Sequence, residues 1–152
     1  MLTNDWILPR VLDIYRSYFH TVRARSSEGR AHLLHASYSI FLHQGLHVER
    51  IGPSHSEPYD PATGDGALIV EDYLLVDVAC APRLGDGEIR RFNGRLEAAR
   101  CPKGILLNFG SRTPEFYPTG ERAKDWQEED WGDAESAWSE GVIQRTTDQG
   151  EP

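Results

Sequence analysis

Two aspartates have the setting to hold a divalent metal ion. Asp77 is the only charged residue in the apolar run 73–81, which has the character of a central strand. Asp65 lies two residues before Ala67, the first residue of another predicted strand. If the chain is already extended at Asp65, the two residues point to the same face of that strand. A metal ion held by Asp65 and Asp77 could activate water for hydrolysis. The alternative is that Asp65, between two glycines, is a turn residue facing water.

A basic group could bind phosphate. It consists of four arginines on a predicted helix and a lysine beyond it: Arg90, Arg91, Arg95, Arg100 and Lys103. Guanidinium and ammonium groups contact phosphate oxygens, but arginine stays protonated at neutral pH and cannot transfer a proton. The group therefore predicts a contact with a nucleic-acid backbone, and the alternative is a solvated helix face.

Other chemistries find little support in the residue spacing. His32 and His35 are three residues apart and His43 and His47 four apart, yet no HExxH or CxxC motif accompanies them. The chain also lacks a nucleophile elbow, a GxxxxGK[ST] loop and a GxGxxG loop. We therefore expect no histidine metal site, no serine or cysteine hydrolase, and no nucleotide-binding loop.

The pattern of apolar residues predicts the elements that position these side chains. Helices are predicted from Asn4 or Asp5 to about Val22, from Arg30 to Gln44, and from Asp86 to just before Pro102. Strands are predicted over 46–51, 67–70, 73–81 and 104–110, with a turn at Glu71 and Asp72. The order is helix, helix, strand, hairpin, helix, strand, which indicates an α+β fold.

Charge divides the chain into two parts. Its 152 residues carry a net charge of −8, and the segment 121–152 alone carries 10 acids and 3 bases. We predict one domain over residues 1–120 and an acidic tail over 121–152. The domain lacks the basic excess typical of non-specific nucleic-acid binding. Three tail tryptophans are candidates for binding a partner or for docking on the domain: Trp126, Trp131 and Trp138.

Location and membrane contact follow from the same composition. No apolar run approaches the roughly 18 to 20 residues that a membrane-spanning helix needs. The first residues lack the basic and apolar regions of a secretory signal. We therefore expect a cytoplasmic protein without a membrane partner.

Three apolar segments also carry a family resemblance. Residues 68–72, 76–78 and 104–110 resemble strands of the bacterial GxxExxY proteins, which belong to the PD-(D/E)XK nuclease superfamily. The resemblance covers roughly residues 31–118, and the Gly-Ile-Leu-Leu-Asn-Phe-Gly strand at 104–110 is its most specific part. It implies a restriction-endonuclease-like αβββαβ core with a mixed sheet, preceded here by an extra helix.

The family's chemistry is metal-dependent phosphodiester hydrolysis, which needs carboxylates for the metal and a lysine for the attacking water. The family's aspartate, glutamate, lysine and glutamine fall on Ala67, Asp77, Ala79 and Arg91 of this chain. The glutamate and tyrosine of the name-giving motif fall on Arg30 and Leu33. Of the four site positions, only Asp77 keeps a comparable side chain.

The resemblance therefore implies a retained fold with an impaired or lost active site. We expect no catalytic residue and no cofactor, and a role in binding nucleic acid or a protein partner. Arg91 or Arg95 could face the positions where the family has its active site, and could there hold a phosphate or pair with Asp77. Two alternatives stay open: an interaction module working through the tryptophan-bearing tail, and a magnesium-dependent nuclease with a migrated site at Asp65 and Asp77.

Overall fold

The structure is a computed structural model that describes residues 4–53, 57–60, 65–101 and 103–120. Its helices are α1 (Ile7–Arg23), α2 (Arg30–His43) and α3 (Asp86–Ala99), with a short 3-10 turn at Ser26–Glu28. Its strands are β1 (Val48–Ile51), β2 (Ala67–Val70), β3 (Leu74–Ala79), β4 (Lys103–Asn108) and β5 (Glu115–Gly120). The predictions for the tail, with Trp126, Trp131 and Trp138, lie outside the described residues.

The five strands form one mixed sheet in the order β1-β2-β3-β4-β5. Only β3 and β4 are parallel, and α3 connects them, whereas the other three pairs are antiparallel. The predicted α+β class with a mixed sheet is confirmed. Within the described ranges, no helix combines the length and the apolar character that crossing a bilayer requires.

Strand β5 was not predicted from the sequence. This strand contains Pro118, which has no N–H to donate and weakens any strand prediction. It pairs with β4 alone, at the edge of the sheet, where a proline is tolerated.

Side chains alternate between two cores, one on each side of the sheet. On β3, Leu74, Val76 and Val78 belong to the core shared with α1 and α2, whereas Leu75 and Ala79 belong to the core under α3. Because strand residues alternate in direction, Asp77 lies on the α3 face with Leu75 and Ala79. The alternation thus places the only charge of β3 toward α3.

The helix starts differ from the predicted caps. Helix α1 begins at Ile7, and its N-cap residue Trp6 makes no side-chain capping bond, so capping by Asn4 or Asp5 is not what the structure contains. Helix α3 does begin at Asp86, but its cap is Gly85, whose N–H donates to Oε1 of Glu88 at 2.9 Å. This bond fixes one oxygen of Glu88 at the helix start.

Two glycines of the segment 104–110 allow close approaches that a side chain would block. A Cβ at Gly104 would lie 2.7 Å from a methyl of Leu96 on α3. A Cβ at Gly110 would lie 2.4 Å from the backbone nitrogen of Ala81. Gly104 therefore lets α3 pack close to β4. Gly110 lets the chain after β4 approach the backbone of the loop that leads into α3.

Candidate functional site

Asp77 is the centre of the site, although its side chain is only 1% exposed. Oδ2 accepts a hydrogen bond of 2.8 Å from Nη1 of Arg95. Oδ1 accepts one from Nη2 of Arg30 and another, at 2.8 Å, from the N–H of Val78. A buried carboxylate is costly unless it is paired and hydrogen-bonded, and here both of its oxygens are bound.

Arg30 connects α2 to the sheet. It is the first residue of α2, and its side chain is 27% exposed. Besides Asp77, it donates to two backbone carbonyls, that of Val78 at 3.1 Å and that of Gly66 at 2.5 Å. These bonds to β3 and to the residue before β2 hold the guanidinium in one orientation.

Arg95 approaches Asp77 from the second half of α3. Its side chain is 18% exposed, and its Nη2 also donates to Oδ1 of Asp65 at 3.2 Å. From the sequence, Asp65 was either a second ligand for a metal ion at Asp77 or a turn residue facing water. In the structure, the cation that contacts both carboxylates is the guanidinium of Arg95, and Asp65 itself is about half exposed.

The other two carried-over strand positions offer no ligand atoms. Leu68 pairs with Val76, so one further step along the register brings Ala67 opposite Asp77. Ala67 is fully buried and Ala79 nearly so, and both are part of the apolar core under α3. Methyl groups therefore stand where the resemblance places an aspartate and a lysine.

A pocket of about 410 Å³ opens beside this cluster. Its polar lining consists of three arginines, two acids and a thiol: Arg30, Arg91, Arg95, Asp77, Glu88 and Cys80. The guanidinium groups outnumber the carboxylates by one, so the lining has a small positive excess. Cys80 is exposed and forms no disulfide.

The structure divides the predicted basic group. Arg91 and Arg95 are four residues apart on α3, about 40° apart around the helix axis, and both line the pocket. Arg90 is exposed but does not belong to the pocket lining. Arg100 lies beyond the helix in a left-handed conformation with φ 58°, and Lys103 begins β4. The pocket thus gathers two of the five predicted residues and adds Arg30.

An exposed triad lies at the start of β1. Among the described residues it is the only group of three or more histidine, cysteine or acidic side chains close enough to share a metal ion. It consists of His47, Glu49 and Asp72, whose ligand atoms lie within 4.8 Å of one another. Spacing along the chain instead pairs His47 with His43. The triad is not visible in the sequence because sheet pairing brings Asp72, in the turn between β2 and β3, next to β1.

A second polar network, around Asn108, supports the fold. The Asn108 side chain exchanges hydrogen bonds with the N–H and the carbonyl of Ala81 at 3.0 and 2.9 Å, and donates to Glu115 at 2.8 Å. Tyr15 of α1 donates to the Asn108 carbonyl. Burial raises the pKa of Tyr15 far above its ordinary value, so the phenol stays neutral and able to donate.

Comparisons of this chain with protein-family models, with curated proteins and with solved structures find no match.

Proposed function

We propose that this chain is a PD-(D/E)XK-like protein that binds nucleic acid without hydrolysing it. The observation that carries the proposal is the pairing of both Asp77 oxygens with Arg30 and Arg95. The resemblance assigns Asp77 to a metal-binding carboxylate position, and in this chain two guanidinium groups contact that carboxylate. The order from α2 to β4 is αβββαβ, which supports the assignment, with α1 before it and β5 after it.

The donor set around Asp77 does not fit a magnesium ion. Magnesium demands near-ideal octahedral coordination by oxygen atoms, and carboxylates are its usual protein ligands. Ala67 and Ala79 supply no oxygen from their side chains, and the Asp77 carboxylate already accepts three hydrogen bonds. A divalent cation would also be repelled by the two guanidinium groups that contact this carboxylate.

The same donor set argues against a migrated hydrolytic site. Arg95 forms ion pairs with both Asp65 and Asp77, at 3.2 and 2.8 Å, and Arg30 also pairs with Asp77. A metal ion shared by these two carboxylates would have to displace the guanidinium from a largely buried position. Arginine cannot replace the missing general base because it does not give up its proton at neutral pH.

Nucleic acid is the target that the chemistry of the pocket favours. Arginine forks match the geometry of phosphate oxygens, and Arg91 and Arg95 face one side of α3. Because residues 1–120 carry 14 acids and 13 bases, attraction to a polyanion must come from this local surface. We therefore expect binding through few phosphate contacts, with a shallow dependence on salt concentration.

The first test separates binding from hydrolysis. Magnesium and manganese are titrated calorimetrically into the wild-type chain and into Asp77→Ala, and cleavage of DNA and RNA is measured with both ions. We expect no Asp77-dependent metal binding and no cleavage. The variant His47→Ala is a matched control, because the exposed triad could bind metal on its own.

The second test measures binding directly, by fluorescence anisotropy with labelled single- and double-stranded oligonucleotides. We expect binding that weakens in Arg91→Ala and Arg95→Gln but not in Arg90→Ala. Cleavage that disappears in Asp77→Ala would overturn the proposal, and so would the absence of any oligonucleotide binding. In the latter case a protein partner becomes the stronger alternative.

A further inference from the structure

We propose that the pocket beside Asp77 binds a single phosphomonoester group, with Arg91 as its principal ligand. The group could belong to a free mononucleotide or to the phosphorylated end of a strand. The inference rests on the proposed function for the nature of the target, and it goes further by naming the part of the target that enters the pocket.

Arg91 is the arginine of the pocket that is best able to take a ligand. Its side chain is 63% exposed, and it forms a loose ion pair with Glu88, with 3.8 Å between Nη2 and Oε2. That distance is too long for a hydrogen bond. The other oxygen of Glu88 accepts the N–H of Gly85 at the start of α3. The Arg91 guanidinium can therefore turn its paired donors toward an incoming phosphate.

Arg30 and Arg95 line the same pocket as Arg91 and are held in place by hydrogen bonds. Asp77 holds both, and carbonyls of Gly66 and Val78 also accept from Arg30. Because these side chains are already ordered, binding a ligand near them loses little further conformational entropy. The carboxylates of Asp77 and Asp65 balance the two charges of Arg30 and Arg95, so Arg91 is the arginine of the pocket outside this cluster.

The charge and the size of the pocket both favour a phosphomonoester. The lining carries an excess of one positive charge, and a phosphomonoester carries about −1.5 to −2 at pH 7, more than an internal phosphodiester. The volume of about 410 Å³ is also in the lower part of the range of small-molecule sites, roughly 300 to 1,000 Å³. One nucleotide unit matches this size better than a continuous strand.

The test compares ligands that differ by one phosphate. Adenosine monophosphate and adenosine are titrated into the full chain at equal ionic strength. A single-stranded oligonucleotide with a 5′-phosphate is compared with the same strand bearing a 5′-hydroxyl. We expect the phosphate to raise affinity at least tenfold in one of the two pairs. This gain should disappear in Arg91→Ala and persist in Arg90→Ala, its exposed neighbour on the same helix.

Cys80 provides a second readout inside the pocket. It lines the pocket and is exposed, whereas Cys101 packs against the core under α3. Saturating phosphorylated ligand should slow alkylation of Cys80 at least threefold while leaving alkylation of Cys101 unchanged. Equal slowing of both thiols would indicate general tightening of the fold and would contradict occupancy of this pocket.

The outcomes separate this inference from the proposed function. If the phosphate raises affinity in neither pair, yet both strands bind and their binding depends on Arg91, the phosphomonoester inference is wrong and nucleic-acid binding stands. If only the mononucleotide binds, the pocket inference stands and nucleic-acid binding fails. If a 5′-phosphate strengthens only the strand, both stand and the source is a strand end. If no ligand binds, both are wrong.

Discussion

Nη1 of Arg95 lies 2.8 Å from Oδ2 of Asp77, so a residue of α3 neutralises the only charged side chain of β3. The contact lies beside the apolar core that α3 shares with the sheet. It connects α3 to the sheet, and together with the contact from Arg30 it leaves neither oxygen of the carboxylate without a guanidinium partner.

Loss of Arg95 should destabilise the fold, because Asp77 would stay buried with one partner fewer. We expect Arg95→Gln to lower the free energy of unfolding by about 2 to 3 kcal/mol in urea denaturation. Arg90→Gln, on the same helix, should change it by less than about 0.5 kcal/mol. In an Asp77→Asn background, Arg95→Gln should cost clearly less. An equal cost in both backgrounds would show that the two residues do not interact energetically.

Reversing the charge of the cluster should create metal affinity. The double variant Arg30→Glu, Arg95→Gln removes both guanidinium groups and adds a carboxylate near Asp77 and Asp65. We expect saturable manganese binding by calorimetry that is absent in the wild type and lost again with Asp77→Ala. Circular dichroism checks that the variant is folded. A folded variant without this binding would contradict the idea that guanidinium groups occupy the metal position.

Two glycines should respond to alanine with opposite signs. Gly110→Ala would place a methyl group against the Ala81 backbone, which cannot move aside, and should lower stability by about 2 kcal/mol or more. Gly94→Ala, in α3 with open space around it, should raise stability by about 0.5 to 1 kcal/mol. Thermal unfolding measures both. Similar effects at the two positions would contradict the close approach at Gly110.

The two thiols should differ in their pH profiles. Burial raises the pKa of the Cys101 thiol, and only the thiolate reacts with iodoacetamide. In a Cys80→Ser background, the alkylation rate of Cys101 should reach half of its plateau at a higher pH than that of a short thiol peptide. The raised pKa also means that its contribution to stability is present below the unfolded-state pKa and is lost as pH rises through the folded-state pKa. A half-point at or below that of the peptide would be evidence against burial.

The acidic tail should compete with nucleic acid. Residues 121–152 carry 10 acids against 3 bases, so they can be attracted to the arginines of α3. Truncation after Gly120 should therefore raise oligonucleotide affinity at low salt, by several-fold in anisotropy titrations. Unfolding of the truncated chain must be measured in parallel, because docked tryptophans would add stability. Unchanged affinity would show that the tail does not compete.

Much of the fold was accessible from sequence because local patterns encode it. The periodicity of Val11, Tyr15 and Phe19 predicts α1, and these three side chains are buried. The apolar run 73–81 predicts a central strand, and its residues 74–79 form the buried strand β3. The edge strand β5 was missed because Pro118 obscures its pattern. The sequence also singled out Asp77 and Arg95 and named their pairing as one option, without deciding between that pairing and a phosphate contact.

By itself, the sequence determined the helices, the central strands and the acidity of residues 121–152, since each depends on residue type and short-range spacing. Only the tertiary structure decided that Arg30 joins Arg95 at Asp77, that Arg91 shares their pocket while Arg90 does not, and that His47 meets Asp72. These contacts link residues far apart in the chain. Their geometry depends on how the sheet pairs and how α2 and α3 pack on it, which residue spacing does not encode.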